Sequence, residues 1–591
     1  MIKSLEKFHC VLIKPTHYGE DGYPVRWYRT YVPSNSLACL NGLVTDCADR
    51  NVLGADVELV VTLIDETNCR VDSCALIARI NRDGGKAMIA LVGVQTNQFP
   101  RSVDMAQPFL EAGIPVCMGG FHVSGSMAML AQMPPEMVAA QNSGISFFLG
   151  EAEEHRLDEV IRDAWAGALK PVYDYLEDLP NLTGEPVPYL PPQVTERTID
   201  AVSSFDVGRG CPFQCSFCTI INVQGRKSRF RTGADLEKII LQNYAAGVKE
   251  FFVTDDNFAR NKNWEEIFDT LIRLRRDRDI CVGLIIQVDT LCHRIEGFID
   301  KAVAAGVQSV FLGLENINPE NLLAAKKRQN KITEYRDMML AWKKHPVLLV
   351  AGYIIGFPAD TKQTILRDIE IIKRELPVDI LSLHSLTPLP GSEDHRKMFD
   401  AGEWLDPDLN KYDLNHRVCH HGKMSDTEWD EAYDEAYEAY YTHAHMVTIL
   451  KRLFGTGSNK KIYTTLRLAW ACTFAKGKFK DYRLEGALVP LKHRLDRNPA
   501  MKRENVVRFW VRYINDVVSF GAIFGFWWCR LRYQLWKIER DPKRFEYRDS
   551  ALKPVGGKDT QELDLFTQTS GGMAEVAKME KQRQIKISVN S

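Results

Sequence analysis

The sequence predicts an α/β protein in three parts: a Rossmann-like N-terminal domain, a partial (β/α)6 barrel and a mainly helical C-terminal extension. Three observations carry that reading. Short apolar runs of strand length alternate with amphipathic helical stretches from residue 8 to residue 165. From Ser203 the same alternation continues through six further units. Beyond residue 400 long stretches place apolar and aromatic residues at helical spacing instead. The boundaries read as 1–170 for the first domain, 171–200 for a linker, 201–400 for the barrel, 401–555 for the extension and 556–591 for a disordered tail. With 591 residues and 45% hydrophobic composition, the chain has enough apolar material for several cores.

In the first domain, Phe8–Pro15, Val57–Asp65, Ala87–Val94, Pro115–Gly119 and Ile145–Gly150 read as five strands. Near-continuous apolar character suits a doubly wound parallel sheet covered on both faces by helices such as Ser102–Ala112. Such sheets bind ligands at the carboxyl ends of their strands, where glycine lets the backbone come close. Three loops stand at those ends: Gln95-Thr96-Asn97, Gly119-Gly120-Phe121-His122 and Gly150-Glu151-Ala152-Glu153.

The barrel strands read as Ser204–Gly208, Glu250–Asp256, Cys281–Gln287, Ser309–Glu315, Leu348–Gly356 and Asp379–Leu386, with helices such as Asp235–Ala246 and Trp264–Arg276 between them. Catalytic groups of βα barrels project from strand C-terminal ends. Those ends carry Asp255-Asp256-Asn257, Gly313-Leu314-Glu315, Gly352–Pro358 and Thr387–Ser392. The first strand runs into Arg209-Gly-Cys-Pro-Phe-Gln-Cys-Ser-Phe-Cys-Thr219, which spaces Cys211, Cys215 and Cys218 as Cys-x3-Cys-x2-Cys. A [4Fe–4S] cluster held wholly by protein takes four ligands. Three thiolates leave one iron open, as an open position makes a zinc site catalytic. A zinc site completed by a distant His uses the same cysteines. A disulfide framework is disfavoured by only 14 Cys in 591 residues and by a start, Met1–His9, without the apolar core of a secretion signal. Reduced thiols and a cytoplasmic location are expected. Arg209, Arg226, Lys227, Arg229 and Arg231 flank the cysteine loop, as a cationic rim or as a solvated face.

In the extension, Ser425-Asp-Thr-Glu428 is a capping box that opens a helix through Trp429, Tyr433, Tyr437, Tyr440 and Tyr441. Their helical spacing predicts a core face. His416, His420, His421, His443 and His445 are scattered and read as packing or surface residues. Residues 401–450 hold 11 Asp/Glu against 3 Lys/Arg, whereas residues 451–550 hold 23 Lys/Arg against 9 Asp/Glu. Inside that basic module, Val517–Cys529 is uncharged for 13 residues, too short to span a bilayer. With Arg512, Arg530, Arg532, Trp527, Trp528 and Trp536 around it, the segment fits a buried helix pair capping the barrel or a peripheral contact with a membrane. No nucleic-acid motif accompanies the basic residues, so no nucleic-acid partner is expected.

The cysteine loop resembles the signature of the radical S-adenosylmethionine (SAM) superfamily. With the three N-terminal loops and the barrel strand ends, the chain resembles its cobalamin-dependent class B members. The resemblance implies a [4Fe–4S] cluster on Cys211, Cys215 and Cys218, with SAM on the open iron and cleaved to a 5′-deoxyadenosyl radical. It implies Glu315 at the SAM ribose or amino acid part, Asp255, Asp256 and Asn257 near the methionine, and Gly352, Gly356 and Pro358 against adenine. Around cobalamin it implies Thr96, Gly119, Gly120, His122, Gly150 and Glu151. The Asp-x-His-x-x-Gly motif is absent, so no axial His from this domain is expected. The implied activity is C-methylation of an unactivated carbon, with rearrangement, cyclisation or oxidation by the same cofactors as alternatives. The implied partners are a small-molecule substrate, lipid or polycyclic in character, and a flavodoxin- or ferredoxin-type electron donor. A methylthiotransferase would place a second cluster on Cys10, Cys47 and Cys74, although Cys10 lies mid-strand. A cobalamin or cluster sensor is the non-enzymatic alternative.

Overall fold

The computed structural model describes residues 5–477, 487–553 and 563–567, together with positions 573, 574, 577 and 581. In the N-terminal domain the strands are β1 (Glu6–Lys14), β2 (Trp27–Arg29), β3 (Val57–Asp65), β4 (Ala87–Leu91), β5 (Val116–Gly119), β6 (Ile145–Leu149) and β7 (Val172–Asp174). All except β2 form one parallel sheet in the order β3-β1-β4-β5-β6-β7. Alternate residues of β1 feed two cores: Val11 and Ile13 enter one, Phe8, Cys10 and Leu12 the other. Burial on both faces is why the strand reads as an unbroken apolar run. The linker expected over 171–200 fails at β7. This strand is three residues long with one buried side chain, Tyr173, so it has no periodicity to read. Pairing with β6 makes it a strand.

The second sheet comprises β8 (Ser203–Phe205), β11 (Glu250–Val253), β12 (Gly283–Val288), β13 (Val307–Glu315), β14 (Leu348–Ile355) and β15 (Ile380–Ser385). These are parallel and follow one another in chain order. Among the described residues β8 and β15 are unpaired edges, so the barrel is partial. Between β8 and β11, a two-stranded ribbon of β9 (Gly208–Arg209) and β10 (Arg229–Phe230) brackets the cysteine loop. The capping box Thr232/Asp235 then starts helix Gly233–Ala245.

The helix Asp426–Tyr440 starts at the Ser425/Glu428 box and buries Trp429, Tyr433, Tyr437 and Tyr440 in the barrel's core cluster. The two apolar runs of the basic module lie in one unbroken helix, Val506–Glu539, which packs on one face and pairs with the helix Lys460–Lys476 through the stacked rings of Phe474 and Trp527. Phe520 meets Trp27 with ring centroids 6.0 Å apart, while Leu531, Leu535 and Ile538 join the barrel core. A final strand, β16 (Ala487–Pro490), pairs antiparallel with β2 and ties the extension to the N-terminal domain. Part of the tail expected to be disordered is ordered. In residues 563–567 Leu565 and Phe566 are buried, and two backbone N–H groups donate to the Glu375 carboxylate at 3.0 and 2.9 Å. The remainder of 556–591 lies outside the described residues, apart from the four positions named above.

Candidate active site at the seam of the two sheets

The cysteine loop is braced from β11. The Asp255 carboxylate accepts the Val207 N–H at 2.8 Å and the Asn261 amide at 2.9 Å. The Asp256 carboxylate accepts the Gly210 N–H at 3.3 Å. Burial pushes both carboxyls up to about 7. The Asn257 side chain exchanges hydrogen bonds with Asp289 at 3.0 and 3.2 Å. Asp255 and Asp256 thus brace the segment that leads into the loop, whereas Asn257 is tied to Asp289 beyond β12. At its centre Cys215 is buried, the Ser216 N–H donates to Ala325 at 3.0 Å, and the Gln329 amide lies 3.5 Å from the Cys215 sulfur. Burial, aided by the neighbouring Cys215, pushes the Cys218 thiol up to about 12, and burial also raises Cys211. Metal ligation must deprotonate such thiols.

Above the loop, Glu315 ends β13 in a left-handed conformation, φ 61°, where the register with β14 shifts. Its carboxylate forms an ion pair with Lys327 and stands 3.6 Å from where a Cβ on Gly352 would lie. Burial lowers the Lys327 ammonium, but the charges of Glu315 and Cys215 outweigh it and raise the group overall. Sequence reasoning missed Lys327. Its one signal was the Lys326-Lys327-Arg328 run, which reads equally well as surface. Gly352 and Gly356 face different spaces. Gly356 has φ +106°, and a Cβ there would lie 2.1 Å from the Trp429 ring. With Phe357, Pro358, Ser216, His421 and Trp429 it lines a cavity of about 360 Å³. The His421 ring donates to the Phe357 carbonyl at 2.9 Å.

A second cavity, about 180 Å³, opens at the carboxyl ends of the N-terminal strands. Gly119, Gly120, Gly150 and Glu151 line it from one side, and Arg209, Val223 and Gln224 from the barrel. Gly120 has φ +148°, and a Cβ would sit 2.1 Å from the Val94 nitrogen, so no other residue fits. Thr96 and His122 lie elsewhere. Both are buried, the His122 Nδ1 is 3.3 Å from the Thr96 hydroxyl, and its ring packs 4.4 Å from Phe99. Burial, with His395 adding repulsion, takes His122 down to about 3.

The flanking cations are no solvated face where Arg209 and Arg229 stand. Arg209 pairs with Glu151 and Glu153 of the N-terminal loop, each at 2.6 Å, and with Asp206 at 3.2 Å. Arg229 donates to Glu151 at 2.9 Å. Burial alone would raise Asp206, but Arg209 and Arg231 hold it well below the usual carboxylate range. Glu153 is likewise raised by burial and lowered overall by Arg209. One guanidinium two residues before Cys211 thus joins the cluster loop to the Gly-Glu-Ala-Glu loop. The cysteines of the methylthiotransferase alternative sit in three unlike settings: Cys10 inside β1 beside Cys117, Cys47 hydrogen-bonded to Asp158 at 3.2 Å, and Cys74 exposed.

Strand-end glycines of one parallel sheet thus line a cavity whose other wall, Arg209, Val223 and Gln224, flanks the three-cysteine loop of the partial barrel. Residues 205–372 match the Radical SAM superfamily, whose domain implies a [4Fe–4S] cluster and SAM. The chain is 26% identical over 358 residues to the bacteriochlorophyllide d C-8(2)-methyltransferase of Chlorobaculum tepidum, covering 58% of this chain and 74% of that protein. Its fold matches the cobalamin-dependent SAM radical enzyme OxsB with aqua-cobalamin bound, with a TM-score of 0.50 and 12% identity over 96% of this chain and 84% of that one. It also matches TsrM from Kitasatospora setae, a radical SAM methyltransferase with cobalamin and a [4Fe–4S] cluster bound, at TM-score 0.50 and 15% identity over 66% and 78%. The chain is thus an enzyme with a Radical SAM domain over residues 205–372, a fold shared with cobalamin-dependent SAM radical enzymes and homologues named as methyltransferases.

Proposed function

We propose that this enzyme is a cobalamin-dependent C-methyltransferase acting on an unactivated carbon of a large, apolar, polycyclic small molecule. The observation that carries the reading is the seam cavity, whose walls are the strand ends of one sheet and the cluster loop of the other. Its lining fits the group: Leu40, Leu43, Met88 and Val92 give an apolar wall beside the side-chain-free strand ends at Gly119, Gly120 and Gly150. When bound, the cluster supplies an electron for SAM cleavage and cobalamin supplies the methyl group. Cys211, Cys215 and Cys218 would hold the cluster, with Asp255 and Asp256 fixing the backbone that presents them. Glu315 would accept the SAM ammonium and Lys327 would meet its carboxylate, since the pair already stands charged beside Gly352. Glu151 would act through Arg209, setting the distance between the two cofactor sites. The polycyclic substrate class rests on the named substrate of the C. tepidum relative.

The test is anaerobic purification with hydroxocobalamin supplied, followed by metal analysis and turnover with methyl-deuterated SAM. About four irons and about one cobalt per chain are expected. Leu40→Trp, which fills the seam cavity, should lose the cobalt and keep the iron. Iron without cobalt in the unaltered enzyme would end the cobalamin assignment, and about eight irons would favour a methylthiotransferase.

A further inference from the structure

The helix Val506–Glu539 has 34 residues, roughly 50 Å of length at the rise of an α-helix. Phe509, Phe520, Leu531, Leu535 and Ile538 bury one face. On the opposite side Val507, Trp510, Val511, Ile514 and Val518 are 74, 51, 66, 56 and 62% exposed. The stripe continues through Gly521, Ala522, Gly525 and Cys529, and a Cβ built on either glycine meets nothing within 4 Å. At 3.6 residues per turn these positions share about one third of the helix circumference and include no charge. A monomer rarely leaves so long an apolar surface open.

Both ends of the stripe are cationic. Lys502, Arg503 and Arg508 are exposed at the start, and Arg530, Arg532, Lys537 and Arg540 at the end. Three acids along the helix have cationic partners: Asp516 with Lys492 at 3.1 Å, Glu504 with Arg512 at 3.0 Å and Glu539 with Arg532 at 3.2 Å. We propose that this face docks on an anionic lipid surface, with the helix lying in the headgroup plane.

Charge decides the occupant. A second copy paired in parallel would set Arg508 against Arg508 and Arg532 against Arg532. An antiparallel copy centred near Gly521 would set Arg508 against Arg532. Either arrangement opposes cation with cation. An anionic bilayer accepts every element at once: aliphatic residues reach the acyl boundary, Trp510 sits at the interface and both cationic ends meet headgroups. No described helix is long and apolar enough to cross a membrane, and the packed face against Trp27 keeps this one lying on the surface.

The proposal holds whichever reaction the barrel performs. Its test is flotation of the full-length, cluster-loaded enzyme with vesicles of phosphatidylcholine containing about one third phosphatidylglycerol, beside pure phosphatidylcholine vesicles. The enzyme should float with the anionic vesicles and stay below with the neutral ones. Replacing Lys502, Arg503 and Arg508 by Ala should weaken binding about a hundredfold. The triple change Val511→Ser, Ile514→Ser, Val518→Ser should abolish it while iron content and SAM cleavage stay unchanged, which also shows that the variant is folded. Failure to float with anionic vesicles overturns the proposal. So does a lipid-free dimer in light scattering that the serine variant reduces to monomer, because the face would then belong to a second copy.

Discussion

The N-terminal sheet and the barrel sheet each have six parallel strands, but their carboxyl ends are equipped differently. Those of the N-terminal sheet carry bare backbone, with Gly119, Gly120 and Gly150 around a cavity. Those of the barrel carry ionisable groups: Asp255 and Lys327 are buried, and Asp256 and Glu315 are partly exposed beside them. The first arrangement suits a bulky group held by shape, and the second suits a zwitterion and a cluster loop that must be fixed electrostatically. Arg209 joins the two, a barrel residue with two N-terminal carboxylates as partners.

The comparison breaks most completely at the cluster loop. Cys215→Ala should abolish SAM cleavage and lower iron content while cobalamin uptake on the N-terminal sheet persists, as read by 5′-deoxyadenosine release and cobalt analysis. Loss of both cofactors together would mean that the two sites do not load independently. Next in size is Arg209→Met. It leaves Glu153 without a cationic partner in a buried seam, and Glu151 and Asp206 with only Arg229 and Arg231, and should cost about 3–5 kcal/mol in denaturant unfolding. A change below about 1 kcal/mol would show that the seam is solvated.

Gly356→Ala should cost roughly 2–4 kcal/mol, because it combines a positive φ with overlap on the Trp429 ring. Adding Trp429→Phe should recover part of the loss, measurable as a coupling in thermal midpoints. The smallest effect is a pH slope. His122 titrates near 3 in the fold against about 6.5 unfolded, so the folded protein binds fewer protons between those values. Its stabilising contribution is complete above about pH 6.5 and is lost as pH falls, by up to about 1.4 kcal/mol per pH unit. His122→Gln should flatten that slope in thermal midpoints taken from pH 7 to pH 5.

Strands were legible from their apolar runs, unbroken in β1 and interrupted in the half-exposed edge strand β3, so these two and the six barrel strands fell within a few residues of their expected ends. The cysteine loop was legible from spacing alone. Partnership was not. That Glu151 pairs with Arg209 and Arg229 depends on how two domains meet, and nothing local in Gly150-Glu-Ala-Glu153 encodes it. Lys327 became visible only once β13 and the segment after its helix were folded together. His122 read as a loop contact because its neighbours are glycines, whereas Phe99 and Thr96 enclose it.

Trp27 in β2 and Pro490 in β16 are register partners although most of the chain lies between them. During synthesis the N-terminal sheet emerges first, yet that ribbon stays unpaired until the ribosome has delivered both later units. Assembly of this protein therefore ends where it began, and a premature stop before Ala487 leaves β2, made near the start of translation, without its partner strand.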